Sequence, residues 1–364
     1  MAIETPISAL PTIALSNAPI VTISAPDELR RDALEYTELR RLVKQEGLLD
    51  RQPLYYSVKI PFTVAMMAAS VAFLVVVDSW WLQLVNAAFL GCVFAQLGLI
   101  GHDAGHQQIF SSVRRNDLIS LLVGFLMALM PSWWNDKHNM RHHSSPNKIG
   151  DDADIDVSLL AFTEERALAS KGLARFSVKY QAFMFYPILP MSSISFLFAG
   201  IHYALTGGKV RYPVIEPLLV AAHLVAYFGL LFVFLSPLQA VLFIAVHKAM
   251  EGVYMGSVFA PNHKGMPVLE QGAQMGFLRQ QVITSRDVSP HPITDFVYGG
   301  LNYQIEHHLF PNMPRNNLKK ARKVVKAFLQ AHSLPYHETS VWGSQREILG
   351  YLHQVSAPLR EKAG

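Results

Sequence analysis

The sequence predicts an all-α integral membrane protein with four transmembrane helices, interfacial helices, and a cytoplasmic helical cap that holds clusters of histidines. Three observations carry this. The 364 residues are 51% hydrophobic and only 16% charged, with a mean hydropathy of +0.23, which is too apolar for an ordinary soluble domain. Several uncharged apolar runs reach the ~20 residues a bilayer crossing needs. Histidines gather where those runs end. The same composition excludes a disordered chain. A net charge of +4, dispersed around apolar runs, fits a membrane surface or an anionic substrate better than nucleic acid. The single cysteine, Cys92, excludes an internal disulfide framework and any multi-cysteine metal site, and inside an apolar run it reads as packing.

Residues Ile7 to Ile23 are apolar but broken by Pro11 and Pro19 and lack a basic leader, so they read as a tail rather than a secretory signal. From Asp27 to Gly47, charged residues alternate around Leu29, Leu34, Leu39 and Leu42. This is an amphipathic helix capped by Asp27, closed by Gly47, and suited to a membrane face. The expected organisation is an N-terminal cytoplasmic section over 1–55, a membrane domain over 56–335, and a cytoplasmic C-terminal tail over 336–364.

The first two spans lie at about 60–77 and 82–101, joined by a turn at Asp78-Ser79-Trp80-Trp81. Leu118 to Met130 is apolar but too short to cross and is stopped by Pro131, so it reads as interfacial or re-entrant. Ala182 to Leu205 is flanked by Arg175 and Lys179 before and by Lys209 and Arg211 after. Those charges place both its ends in the cytoplasm, and Pro187 and Pro190 break it, so it is expected to dip in and return. Spans three and four, about 217–235 and 238–260, form a hairpin with an outside turn at Ser236-Pro237.

This parity brings every cluster to the cytoplasmic side, which in a bacterium is the inner face of the plasma membrane. The first cluster holds His102 and His106, the second His138, His142 and His143, and the third Gln304, His307 and His308; His263 follows span four. On a helix, residues four apart share a face, so His102 with His106, and His138 with His142, are each expected to face one metal. Neighbouring residues differ by about 100°, so His143 and one of the His307-His308 pair are expected to face a second metal. Seven imidazoles exceed the shell of one zinc site, which favours two metals; iron, copper, zinc and nickel all suit imidazole. The remaining histidines, His202, His223, His247, His291, His332, His337 and His353, read as core or surface residues. Candidate partners for the ligands' outer ring nitrogens are Asp103, Asp151, Asp152, Asp154, Asp156 and Glu306.

The series His-x-x-x-His, His-x-x-x-His-His and Gln-x-x-His-His, ending in the run Gln304 to Pro311, resembles the membrane fatty acid desaturases, and the resemblance runs from about Tyr55 to His332. It implies that His102, His106, His138, His142, His143, His307 and His308 are iron ligands and catalytic. His263 stands where a further ligand is expected. Gln304 replaces a histidine and reaches iron directly or through water. The implied chemistry is oxygen-dependent desaturation of a long acyl chain, with two Fe ions as cofactor and O2 as co-substrate. Many members with this third cluster carry a fused cytochrome b5 domain with a His-Pro-Gly-Gly motif, absent from this sequence. The resemblance therefore implies a separate electron donor, a ferredoxin or cytochrome b5 with its reductase. Lys137, Arg141, Lys148 and the basic stretch Arg315 to Lys326 are its expected docking face, or else contact anionic lipid.

The acyl chain is expected in an apolar tunnel with Trp133 and Trp134 as walls, although tryptophan at that depth also anchors at interfaces. Lys248 and Glu251, charged inside span four, are expected to pair or to face a polar cavity, and to line a headgroup entrance. Two other functions stand beside desaturation. A histidine-rich two-iron hydroxylase of alkane, sterol or carotenoid type would return oxygen to its substrate. A metal transporter would instead line a pore with histidines along its spans.

Overall fold

The computed structural model describes residues 19, 20 and 22–361; most of the expected N-terminal tail lies outside them. The first helix, α1 (Pro26–Gln45), starts one residue before the expected cap. Ala25 is the N-cap, and the Glu28 carboxylate accepts from its backbone N–H at 3.0 Å. Gly47, at φ +65°, turns the chain out of the helix. One face of α1 is buried in the cap, where Asp32 accepts from the backbone N–H groups of Leu278 and Arg279.

Two long apolar helices follow, α2 (Pro53–Val76) and α3 (Trp80–Gly105), then α4 (Val113–Met127) and the short α5 (Pro131–Trp134). A π-helix, Asn135–His142, continues α5, and the chain bends by 110° between α4 and this segment. Small helices α6 (Glu164–Ala169) and α7 (Gly172–Lys179) lead to α8 (Gln181–Ile188), a 3₁₀ turn and α9 (Ser192–Leu205). Then come α10 (Ile215–Phe234) and α11 (Pro237–His263). The cap holds α12 (Phe277–Thr284), α13 (Pro292–Tyr298), α14 (Gln304–Leu309), α15 (Arg315–Ala331), α16 (Val341–Val355) and α17 (Ala357–Glu361). Two short parallel strands, β1 (Asp287–Val288) and β2 (Glu338–Thr339), tie it together.

Five segments are long and apolar enough to cross a membrane: α2, α3, Gln181–Leu205, α10 and α11, which makes this a multi-pass membrane protein. Gln181–Leu205 runs on as one 25-residue helical stretch and does not reverse: Pro187 lies inside α8 and Pro190 in the 3₁₀ turn, and neither breaks it. Apolar residues such as Val225, Val233 and Phe198 point outward from these helices, as lipid-facing side chains do. Helices α3 and α11 run parallel in close contact: a Cβ on Gly91 would come within 2.7 Å of the His247 carbonyl, and one on Gly98 within 3.2 Å of Met255.

Two of the apolar cores flank the site. One lies among the long helices around Phe94, Leu97 and Phe243, the other in the cap around Leu278, Leu309, Leu318 and Val325. The clustered histidines stand between them.

Candidate metal centre

Eight histidines converge, each from the end of a helix. His102 and His106 close α3, His263 closes α11, His307 and His308 lie on α14, and His138, His142 and His143 lie on or just after the π-helix. All eight are buried, none more than 8% exposed. They form one group of five, His102, His106, His138, His143 and His307, and one of three, His142, His263 and His308. Within each group the ligand atoms lie within 4.8 Å of one another.

The expected face-sharing holds for His102 and His106, whose rings are 4.6 Å apart, and gives way in the second cluster. There the backbone is a π-helix, and the His143 N–H donates to the His138 carbonyl five residues back at 3.0 Å. A five-residue register puts His143, not His142, beside His138. His142 is turned to His263 and His308, although with Asp154 it also stays within reach of His138.

The ring nitrogens show what these groups are built to hold. In the group of three, each Nδ1 is engaged from outside: His142 by Asp152 at 3.1 Å, His263 by the Thr284 carbonyl at 2.9 Å, and His308 by Gln281 at 2.8 Å. His308 Nε2 is left without a partner, and His263 Nε2 faces the Gln304 amide nitrogen. In the group of five, both nitrogens of His102 and His307, Nε2 of His106 and Nδ1 of His143 have no hydrogen-bond partner. His138 and His143 turn their Nε2 atoms to each other at 3.3 Å, close to the ~3.4 Å edge between donors held ~2.1 Å from one tetrahedral ion. Burial, reinforced by the neighbouring imidazoles, holds the pKa of His138, His143, His307 and His308 well below the ordinary value. Neutral rings with buried lone pairs aimed at common points are a metal-binding set. Gln304 stands beside the group of three: its amide nitrogen is 2.9 Å from His263 Nε2, and its oxygen accepts from Asn262 at 3.0 Å.

Of the acids read as supports, Asp152 and Asp154 reach His142. Asp103 lies 3.6 Å from His102 Nδ1 and also binds Tyr56 and the buried Arg315, which anchors α15 beneath the end of α3. That approach needs Gly299, at φ +58°, since a Cβ there would meet the Arg315 guanidinium at 2.7 Å. Asp151 pairs with Lys148 and Asp156 with Arg166. Glu306 turns away from the histidines to Asp287 and Tyr336; burial pushes Asp287 up to about 6, and burial with the Asp287 charge pushes Glu306 well above its ordinary value. Sequence reasoning missed Gln281, Thr284 and Arg315 as partners of the site, because nothing local marks a glutamine or a carbonyl as facing a histidine that is distant in sequence.

The other histidines stay outside both groups. His223 and His247 pack against Phe94, and His337 pairs with Glu347. The basic stretch is less open than expected. Lys319 pairs with Asp295, Arg322 and Lys326 with Glu338, and Arg315 is buried, which leaves Lys320 and Lys323 exposed on α15 without an ion pair among the described residues. Lys137 is likewise paired, with Asp154.

A cavity of about 420 Å³ opens beside His102. Lys209, Arg211, Tyr212 and Asp117 line one end, and Gly98, Met127, Met255 and Glu251 the other. Trp134 forms part of its wall and stacks on His138 at 4.7 Å; Trp133 is buried behind it and does not line the cavity. Lys248 and Glu251 do pair, at 2.8 Å, but Glu251 sits at the end away from the charged entrance.

Fold and site together define a class: a helical membrane protein whose bundle and cap enclose a polyhistidine metal site. The family model "Fatty acid desaturase" matches residues 79–340. The chain is 31% identical over 340 residues to an acyl-lipid (9-3)-desaturase of Physcomitrium patens, covering 90% of this chain and 64% of that protein. It is 32% identical to a Delta(6)-fatty-acid desaturase of Caenorhabditis elegans, covering 90% of this chain and 76% of the relative. A Delta(5) fatty acid desaturase from the same worm is 31% identical over 347 residues, or 90% of this chain and 75% of the relative. The chain belongs to the fatty acid desaturase family.

Proposed function

We propose that this protein desaturates a long fatty acyl chain at a two-iron centre, using O2 and electrons from a separate donor. The observation that carries the reading is the division of eight buried imidazoles into groups of five and three beside a cavity that reaches His102. The names of the relatives agree with an acyl substrate.

His102, His106, His138, His143 and His307 would hold one ion, and His142, His263 and His308 the other. Gln304, its oxygen accepting from Asn262 and its amide nitrogen against His263 Nε2, would stand beside the second. When bound, the irons supply the oxidising power that unactivated methylene C–H bonds require. Overall the chain loses two hydrogens, the donor gives two electrons, and O2 leaves as two waters with two protons taken up from solvent. Asp152, Thr284 and Gln281 engage Nδ1 of their histidines and so direct the Nε2 side of each ring toward the site. Trp134 covers His138 and excludes water. Gly101 lets α4 pack close on α3, since a Cβ there would meet Val123 at 2.8 Å, and both Gly101 and Gly105 line the cavity.

The topology we favour has four crossings: α2, α3, α10 and α11. All three clusters meet, so an even number of crossings must separate them. Between His143 and His263 lie three long apolar segments, and only two can cross. The ends of Gln181–Leu205 support leaving that segment in the cytoplasmic interface. Gln181 bonds to Leu352 in the cap, while beyond Leu205 Arg211 bonds to Ser132 and Asp117, near the second cluster. The same parity keeps the bent pair α4 and Pro131–His142 re-entrant, and the histidines on the cytoplasmic side.

The test is expression in a host of known lipid composition, followed by gas chromatography and mass spectrometry of the fatty acid methyl esters. New double bonds are expected. Hydroxylated acyl chains as the only new products would replace this reading with the hydroxylase.

A further inference from the structure

The inward stripe of α1 carries one residue out of keeping with the rest. Asp32, Tyr36, Leu39 and Val43 recur at helical spacing and turn toward the cap, and Asp32 is only 1% exposed. A carboxylate at such a position is tolerated only where its oxygens find partners. Those of Asp32 accept from the backbone N–H groups of Leu278 at 2.9 Å and Arg279 at 3.0 Å, the second and third residues of α12. The Arg279 guanidinium also folds back onto Asp32 at 2.9 Å and onto Glu35 at 2.8 Å.

These are the N–H groups that a capping side chain satisfies from the residue just before a helix. Here that residue is Gly276, which has no side chain, and a Cβ on it would collide with the Asp32 carboxylate. The cap therefore comes from a helix 246 residues away. At the other end of α12 the Thr284 carbonyl has no intrahelical partner, and His263 Nδ1 takes it. Between the two ends, Gln281 joins His308 Nδ1 and the His143 carbonyl. A helix of eight residues, about 12 Å long, is too short to hold its shape alone. What grips its ends sets where Gln281 and Thr284 lie. One turn after Asp32, Tyr36 donates to the Leu309 carbonyl at the end of α14, so α1 also steadies the helix that carries His307 and His308.

We propose that Asp32 is a positioning residue of the metal centre: it caps α12 from α1 and, through Gln281 and Thr284, keeps His308 and His263 of the group of three turned for metal. This rests on the reading of those histidines as ligands. With it, α1 belongs to the frame of the centre.

The test is iron per chain in purified protein during titration with an iron chelator, with thermal unfolding of the same samples. Asp32→Leu removes the cap and should release one of two irons at a chelator concentration about tenfold lower, with the other iron retained. In a Gln281→Leu background the same substitution should add less than about threefold, because both act on His308. Asp32→Asn keeps one acceptor and should fall between wild type and the leucine variant; it carries the test if the latter does not accumulate. Val43→Ala opens the same buried face three turns along α1, where its side chain makes no hydrogen bond to α12. It should lower the melting temperature and leave the chelator profile as in wild type. Iron released equally by Val43→Ala, fully additive losses with Gln281→Leu, or a wild-type profile in the Asp32 variants would each overturn the proposal. If wild type itself takes up no iron, the ligand reading fails, and the role of Asp32 with it.

Discussion

Gln281 offers the most direct test of how the centre is held. It is fully buried on α12, accepts from His308 Nδ1 at 2.8 Å and donates to the His143 carbonyl at 3.0 Å, so one amide steadies a ligand of each group. Gln281→Leu keeps nearly the same volume, so no cavity opens, but both hydrogen bonds go. The His308 ring then loses the partner that fixes its tautomer and leaves Nε2 free for metal. Removing such a support typically costs 10- to 100-fold in metal affinity, or about 1.4–2.7 kcal/mol. The assay is iron per chain in purified protein, by plasma mass spectrometry, during titration with an iron chelator. Wild type should hold two irons. The variant should lose one of them at a chelator concentration 10- to 100-fold lower, with turnover falling in step. A variant that keeps both irons to the wild-type concentration would show that α14 packing alone orients His308, and the account of the group of three would be wrong.

Three further outcomes are expected. His142→Ala and His307→Ala should each abolish turnover while the protein stays inserted in the membrane, since the long helices pack without the metal; normal product from either would refute its role as a ligand. In a Cys92→Ser background, Ser170→Cys, Thr206→Cys and Ser333→Cys should resist an impermeant thiol reagent outside intact cells and Ser236→Cys should react. Thr206 serves in place of Gly208, where a Cβ would collide with Tyr203 at 2.5 Å, and outside labelling at Thr206→Cys would overturn the four-span topology. The third outcome concerns pH. Asp287 is raised to about 6 from 3.8, so its stabilisation is present below pH ~4 and is lost as pH rises through about 6. Asp287→Asn stays neutral and should remove that loss, up to about 3 kcal/mol at pH 8. Thermal unfolding in detergent across pH 4 to 8 checks it: a melting temperature of the variant that falls as steeply as that of wild type would place the proton elsewhere.

The sequence alone was enough for the membrane class, for most of the long apolar helices, and for the eight histidines that converge. These follow from local chemistry: uncharged stretches of bilayer length cannot sit in water, and histidines clustered at several span ends rarely arise for packing alone. Even His263, without a helical partner, could be placed because the end of span four is where the other clusters open. What the tertiary structure decided was which histidine faces which. A window of sequence gives only the period of an ordinary helix, under which His138 pairs with His142. The π register that pairs His138 with His143 adds one residue to the turn, and nothing in Asn135–His142 itself announces it. The same holds for Gln281, for Arg315 drawn from a basic stretch into a buried pair with Asp103, and for Glu251 in the wall of the cavity. Each position is set by an element distant in the chain. The energy of a buried hydrogen bond or ion pair depends on the partner that packing delivers, so these roles could not be read before the fold was known.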